Sequence, residues 1–197
     1  MPETDNQRGP ITVTTTLDTE RTELLAVLKA ARTALIQATR GLTDEQAAAR
    51  PTVSALCLGG LIKHVSSMEE QWMRFTVEGP SAMPHQLPEG VTWAEIMAGT
   101  AREFPSWLAE HQNGFVLLPG ETLAGILAHY EQVAARTEEI TADADLSATQ
   151  PLPEAPWFEP GAMYSVRKVL MHLISETAQH AGHADILRET LDGQKSG

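Results

Sequence analysis

The residues best suited to metal chemistry are one upstream histidine and a group of four residues near the C-terminus. His172, Glu176, His180 and His183 fall within one short run, and His64 lies far upstream. Residues four apart on a helix present their side chains side by side, so Glu176 and His180 could share one ion. Two imidazoles and a carboxylate, with positions left open for water or substrate, suit Zn²⁺ and other first-row divalent ions. The simpler alternative is that His180 is an ordinary core histidine and Glu176 points at solvent.

Helical spacing ranks the C-terminal candidates. His180 falls inside the apolar stripe of its helix, and Glu176 lies about 40° from it and one turn away. His180 with Glu176 is therefore the preferred pair, and His180 with His183 is the rival pair. If His183 is not a ligand, it is expected to hydrogen-bond one, as metal-site imidazoles usually require. His172 lies about 12 Å along the axis from His180, so the two are not expected to bind one ion.

Four long amphipathic helices would position these residues. Strand-length runs of β-branched or aromatic residues are scarce, and apolar residues recur at the helical period. The predicted helices begin near Asp18 or Thr19, between Ser54 and Gly60, near Glu121 and near Val166. They predict an all-α fold, a four-helix bundle, whose metal sites use inward-projecting side chains on facing helices. The connection lengths do not distinguish up-down-up-down from crossover topologies.

Two long connections punctuated by proline, at about 79–119 and 143–165, separate the last three helices. Irregular segments of this length are usually functional or cover a site. Residues 1–17 are polar and threonine-rich and are expected to form a flexible N-terminal arm, which leaves residues 18–197 as a single domain. Gly59 and Gly60 are expected to permit the close approach of another helix. The remaining histidines have no partner at helical spacing and are expected to be structural or solvated: His85, His111 and His129.

Charge and cysteine content exclude several classes of function. The formal net charge of −12 argues against nucleic acid and against anionic membrane surfaces as partners. No run approaches the roughly 20 apolar residues that span a bilayer, and the first residues do not resemble a signal peptide. Cys57 is the only cysteine, which excludes an intrachain disulfide and fits a cytoplasmic protein. Cys57 itself is expected to be a small buried residue.

Two segments resemble the DinB/YfiT-like superfamily of metal-binding four-helix bundles. They are residues 58–65, which contain His64, and residues 166–185, which contain Glu176 and His180. In particular, the sequence resembles the actinobacterial branch that includes mycothiol-dependent maleylpyruvate isomerases and mycothiol S-transferases, and the likeness extends over roughly residues 18–192. The resemblance implies that His64, Glu176 and His180 hold the metal. His183 stands where the broader family often has glutamine, which leaves a fourth-ligand role open.

The resemblance also implies a function. It predicts one divalent metal ion, Zn²⁺ or Ni²⁺, and a low-molecular-weight thiol of the mycothiol type as cosubstrate. The reaction would be S-transfer to a small electrophile or an isomerisation, and a homodimer is favoured. No residue is assigned a catalytic role. The alternatives are a non-catalytic metal- or small-ligand-binding stress protein with the same bundle, and a metal-free helical interaction protein.

Overall fold

Helices account for most of the computed structural model, which describes residues 13–83 and 86–195, with side chains from residue 19 onward. The structure is 63% helical, which confirms the all-α prediction. A small antiparallel pair of strands, in which Gln150 lies opposite Tyr164, was not expected. The elements are α1 (Val13–Gln37), α2 (Asp44–Ala48), α3 (Leu58–Glu78), a 3₁₀ turn (Gly79–Ala82), α4 (Trp93–Ala98), α5 (Ser106–Asn113), α6 (Leu123–Asp143), β1 (Thr149–Pro151), β2 (Met163–Ser165) and α7 (Val166–Asp192).

The long helices begin and end where local chemistry favours it. Ser165 accepts a hydrogen bond from the backbone N–H of Lys168 at the start of α7, and Gly193, with φ 77°, ends the helix in the left-handed conformation. Helix α1 starts at Val13, before the predicted cap at Asp18 or Thr19. The first part of the predicted arm, residues 1–12, lies outside the described residues.

The four long helices form a ring in the order α1, α7, α3, α6, in which α6 contacts α1 less closely than the other neighbours contact each other. Contacts between named residues fix their directions. Helices α3 and α7 are antiparallel, because His64 lies beside His180 and Trp72 lies beside His172. Helices α3 and α6 run parallel, since Lys63 pairs with Glu121 just before α6 and Glu70 lies beside His129. The connection from α3 to α6 must therefore return along the bundle, which explains its length.

A buried polar layer divides the apolar core into two clusters. One cluster centres on Leu35, Leu61 and Leu187, and the other on Leu28, Phe75 and Leu170. Between them each long helix contributes a buried polar residue, namely Arg32, Glu69, Thr137 and Thr177.

Within that layer, the guanidinium of Arg32 makes a bidentate ion pair with the fully buried carboxylate of Glu69. The hydroxyl of Thr137 donates a further hydrogen bond to the same carboxylate at 2.5 Å. This network was not predicted from the sequence. No helix among residues 13–83 and 86–195 is long and apolar enough to span a membrane.

Candidate metal centre

Helices α3 and α7 bring His64, Glu176 and His180 together. One ligand atom from each residue lies within 4.8 Å of the others. His64 comes from the second turn of α3, and Glu176 and His180 come from successive turns of α7. The ring centres of His64 and His180 are 5.0 Å apart, and Nε2 of His180 is 3.8 Å from Oε2 of Glu176. These are the three residues that the sequence singled out as metal ligands.

Burial keeps both imidazoles of this group neutral at physiological pH. Desolvation, followed by the nearby His180 and His111, lowers the pKa of His64 to about 4. Desolvation also lowers the pKa of His180, against the opposing effect of the Glu176 carboxylate. The His180 side chain is 12% exposed and that of Glu176 is 32% exposed. Neutral imidazoles offer the lone pairs that a metal requires, the carboxylate offsets the cation's charge, and the donor set therefore fits a divalent ion.

His183 approaches the opposite side of the His180 ring. Nδ1 of His183 lies 3.4 Å from Nδ1 of His180, whereas Nε2 of His180 faces Glu176. Metal-site imidazoles usually give their second nitrogen to such an outer partner. The geometry therefore favours His183 as a hydrogen-bonding neighbour of a ligand over the rival ligand pair.

His172 lies one turn from Glu176 on α7, on the side away from His180. Its ring is steeply tilted against that of Trp72, with the ring centres 4.9 Å apart, and Trp72 in turn stacks on Tyr164. Burial lowers the pKa of His172, although Glu176 opposes the shift. His172 does not belong to the compact group that the described residues form around His64.

Two residues that lie at the candidate centre were not identified from the sequence. Phe115 stacks on His64, with ring centres 3.9 Å apart and planes 22° apart, and the His111 ring lies nearly perpendicular to that of His64, with ring centres 5.9 Å apart. His111 therefore lies at the site, although it has no partner at helical spacing. His129 pairs with Glu70 at the surface instead, and His85 lies outside the described residues.

The glycine pair of α3 was the sequence signal for this contact, and the predicted approach of a helix describes only part of it. The carbonyl oxygen of Ala47 in helix α2 would lie 3.3 Å from a Cβ atom on Gly59, but the connection between α5 and α6 approaches both glycines more closely. A Cβ atom on Gly60 would lie 1.9 Å from the carbonyl oxygen of Phe115. Cys57, as expected, is buried.

Comparison with known proteins agrees with this architecture. The family model for mycothiol S-transferases matches residues 23–193, which include every residue of the compact group. No curated protein matches the chain significantly. A conserved protein from Enterococcus faecalis has a similar solved structure, with a TM-score of 0.57 at 13% identity over 88% of this chain and 97% of that one. At this identity the structural likeness establishes the fold alone.

Proposed function

The chain belongs to the mycothiol-S-transferase family, and from that premise we propose that it is a metal-dependent S-transferase. Its cosubstrate would be a low-molecular-weight thiol of the mycothiol type, and its second substrate a small electrophile. The observation that supports metal dependence is the compact group of His64, Glu176 and His180 on facing helices. The family match favours transfer over isomerisation. The expected setting is the cytoplasm, where thiols are kept reduced.

His64, Glu176 and His180 would hold one divalent ion, Zn²⁺ or Ni²⁺. Such an ion lowers the pKa of a coordinated thiol and so makes thiolate available at neutral pH. The thiol sulfur would then form a bond to the electrophilic carbon. The leaving group would depart with its bonding electrons, and the thiol proton would pass to solvent.

His183 would orient His180 for this role. If Nδ1 of His180 carries the ring proton, its N–H can donate a hydrogen bond to Nδ1 of His183. Nε2 of His180 then keeps a free lone pair on the side of Glu176. The outer hydrogen bond would thus select the tautomer that suits metal binding.

A thiol-consumption assay tests the proposal. Metal-free and metal-loaded protein would be incubated with mycothiol and monochlorobimane at pH 6.5, where a free thiol with a pKa of about 8.5 is only about 1% ionised. We expect loaded protein to accelerate conjugation, and metal-free protein and His64→Ala to be inactive. His129→Ala, on the surface of α6, is the matched control and should behave as the parent protein.

Equal rates for loaded and metal-free protein, across several thiols, would refute the transferase proposal. If metal binds stoichiometrically but conjugation never exceeds the uncatalysed rate, the non-catalytic binding protein is the better description. The advantage of the loaded protein should shrink at pH 9, because free thiolate is then abundant.

A further inference from the structure

A short segment between α5 and α6, residues 114–118, lies across the first turns of α3; we call it the strap. It rests directly on helix backbone. A Cβ atom on Gly60 would lie 1.9 Å from the carbonyl oxygen of Phe115, and one on Gly59 would lie 2.1 Å from Cδ1 of Leu117. Real Cβ contacts are not this short. At Gly60 the neighbour is backbone, so the strap can occupy its position only over a glycine there, whereas the end of the Leu117 side chain could turn away from a Cβ atom on Gly59.

Polar contacts anchor both ends of the strap. Lys63 donates to the carboxylate of Glu121 at 2.6 Å and to the carbonyl of Val116 at 3.4 Å. The backbone N–H of Leu118 donates to Glu121 at 2.7 Å. At the other end, the thiol of Cys57 lies 3.7 Å from the carbonyl oxygen of Phe115 and can donate to it. These hydrogen bonds hold the strap in a defined position on α3.

The anchored strap places one side chain on the candidate metal centre. The ring of Phe115 lies nearly parallel to the His64 imidazole at 3.9 Å between centres, and the ring of His180 lies roughly perpendicular to that imidazole, with ring centres 5.0 Å apart. A parallel neighbour at this distance opposes rotation of the imidazole out of its plane. Without Phe115, the His64 ring would lose the contact that covers one of its faces.

We propose that Phe115 is a positioning residue of the metal centre. It holds the His64 imidazole in the plane that turns a ring nitrogen toward Glu176 and His180, and Gly60 allows the strap to carry Phe115 there. The inference rests on the proposed metal site. Loss of groups that orient metal ligands typically weakens metal binding about 10–100-fold, so Phe115→Ala should weaken it at least about tenfold.

The experiment measures cobalt binding. The Kd for Co²⁺ would be determined by competition with a chromophoric chelator, together with the Co²⁺ absorption spectrum and the urea stability of the metal-free protein. Phe115→Ala should raise the Kd and change the spectrum, and Phe115→Tyr, which keeps the ring, should restore both. Phe115→Leu keeps the apolar bulk without the ring and should resemble Phe115→Ala, which covers the case in which the alanine variant does not fold. Leu117→Ala removes the neighbouring strap contact over Gly59; it should lower stability but leave the Kd within about twofold of the parent.

Two glycine substitutions, at Gly60 and Gly182, supply an independent test of the proposal. Gly60→Ala should displace the strap and raise the Kd as Phe115→Ala does, because the added Cβ meets backbone atoms. Gly182→Ala on α7, where a Cβ meets nothing within 4 Å, is the control and should leave the Kd unchanged.

The outcomes separate the two proposals. If the parent protein binds no Co²⁺, both the metal site and this inference are wrong. If the parent binds Co²⁺ and Phe115→Ala binds it equally well, the inference alone is wrong. Equal weakening by Leu117→Ala and Phe115→Ala would also overturn it, since general loosening of the strap would then account for the effect.

Discussion

Acid should destabilise the metal-free protein through His64. Burial lowers the pKa of His64 from 6.5 to about 4 in the folded state. Between these values the unfolded chain binds a proton that the folded protein does not, so the free energy of unfolding falls as the pH falls from about 6.5 to about 4. The full shift corresponds to about 3 kcal/mol, of which about 2 kcal/mol is lost between pH 7 and pH 5.

Comparison of the parent protein with His64→Gln isolates this effect. The free energy of unfolding in urea would be measured at pH 7 and pH 5 in the presence of a chelator. Burial also lowers the pKa values of His172 and His180, so both proteins should lose stability in acid. His64→Gln should lose about 2 kcal/mol less than the parent, because glutamine does not titrate. His129→Gln at the surface is the control for the substitution itself, and equal losses in the parent and His64→Gln would refute the reasoning.

Three further predictions concern the core and the site. Glu69→Gln and Arg32→Met should each lower the free energy of unfolding in urea by about 3–5 kcal/mol, because each leaves one buried charge unpaired. The double variant of Arg32→Met with Glu69→Leu leaves no buried charge unpaired and should lose much less. A double variant as unstable as the single ones would contradict this. Glu176→Gln should weaken Zn²⁺ binding more than His183→Ala does, as measured by chelator competition, and the reverse order would identify His180 and His183 as the ligand pair. Zn²⁺ at one hundred times its Kd should stabilise the protein by about 2.7 kcal/mol; an unchanged melting temperature, starting from verified metal-free protein, would argue against a preformed site.

Helix α7 and its candidate metal ligands were predictable because the sequence signals for them are local. A serine before an apolar stripe and a glycine after it mark the ends of α7, and the stripe itself identifies the buried face. Spacing of four residues then places Glu176 beside His180 without knowledge of the fold. His64 was already a candidate ligand from its residue type and its place on another predicted helix. Periodicity within one helix does not identify the helix that faces it, so the family resemblance was needed to strengthen the pairing of His64 with Glu176 and His180.

The strap could not be predicted, because its contact with His64 joins segments far apart in the sequence. Phe115 follows His64 by many residues and belongs to an irregular connection with no periodicity. The glycine pair indicated that something approaches α3 closely. Only the parallel course of α3 and α6, which sends the connection back past the start of α3, identifies that something as the strap.

The polar layer left a signal that the apolar stripes obscured. Arg32 follows Leu28 by one turn, and Glu69 follows Val65 by one turn, so each charge stands in the middle of a buried face. Charged residues are rarely buried unless they are paired. Opposite charges within the stripes of two helices therefore predict that their side chains meet at that level, and Arg32 of α1 and Glu69 of α3 do so across the core of the bundle.

The buried pair also bears on the candidate metal centre through the register of the helices. The ion pair between Arg32 and Glu69 ties α1 to α3 at one level, since sliding either helix by a turn would leave two buried charges unpaired. A single polar pair in a core is known to fix helix register in this way. The ligands of the candidate centre, however, lie on α3 and α7, so a second link is needed.

Helix α1 supplies that link at both of its ends. Near its start Glu20 pairs with Arg167, and beyond its last turn the carbonyl oxygen of Ala38 accepts a hydrogen bond from the buried guanidinium of Arg188. These contacts set the register of α1 against α7, and the buried pair sets α1 against α3. These links add to the direct packing of α7 on α3 in setting the height of one helix relative to the other. Charges that lie outside the candidate metal centre thus help to keep its imidazoles level.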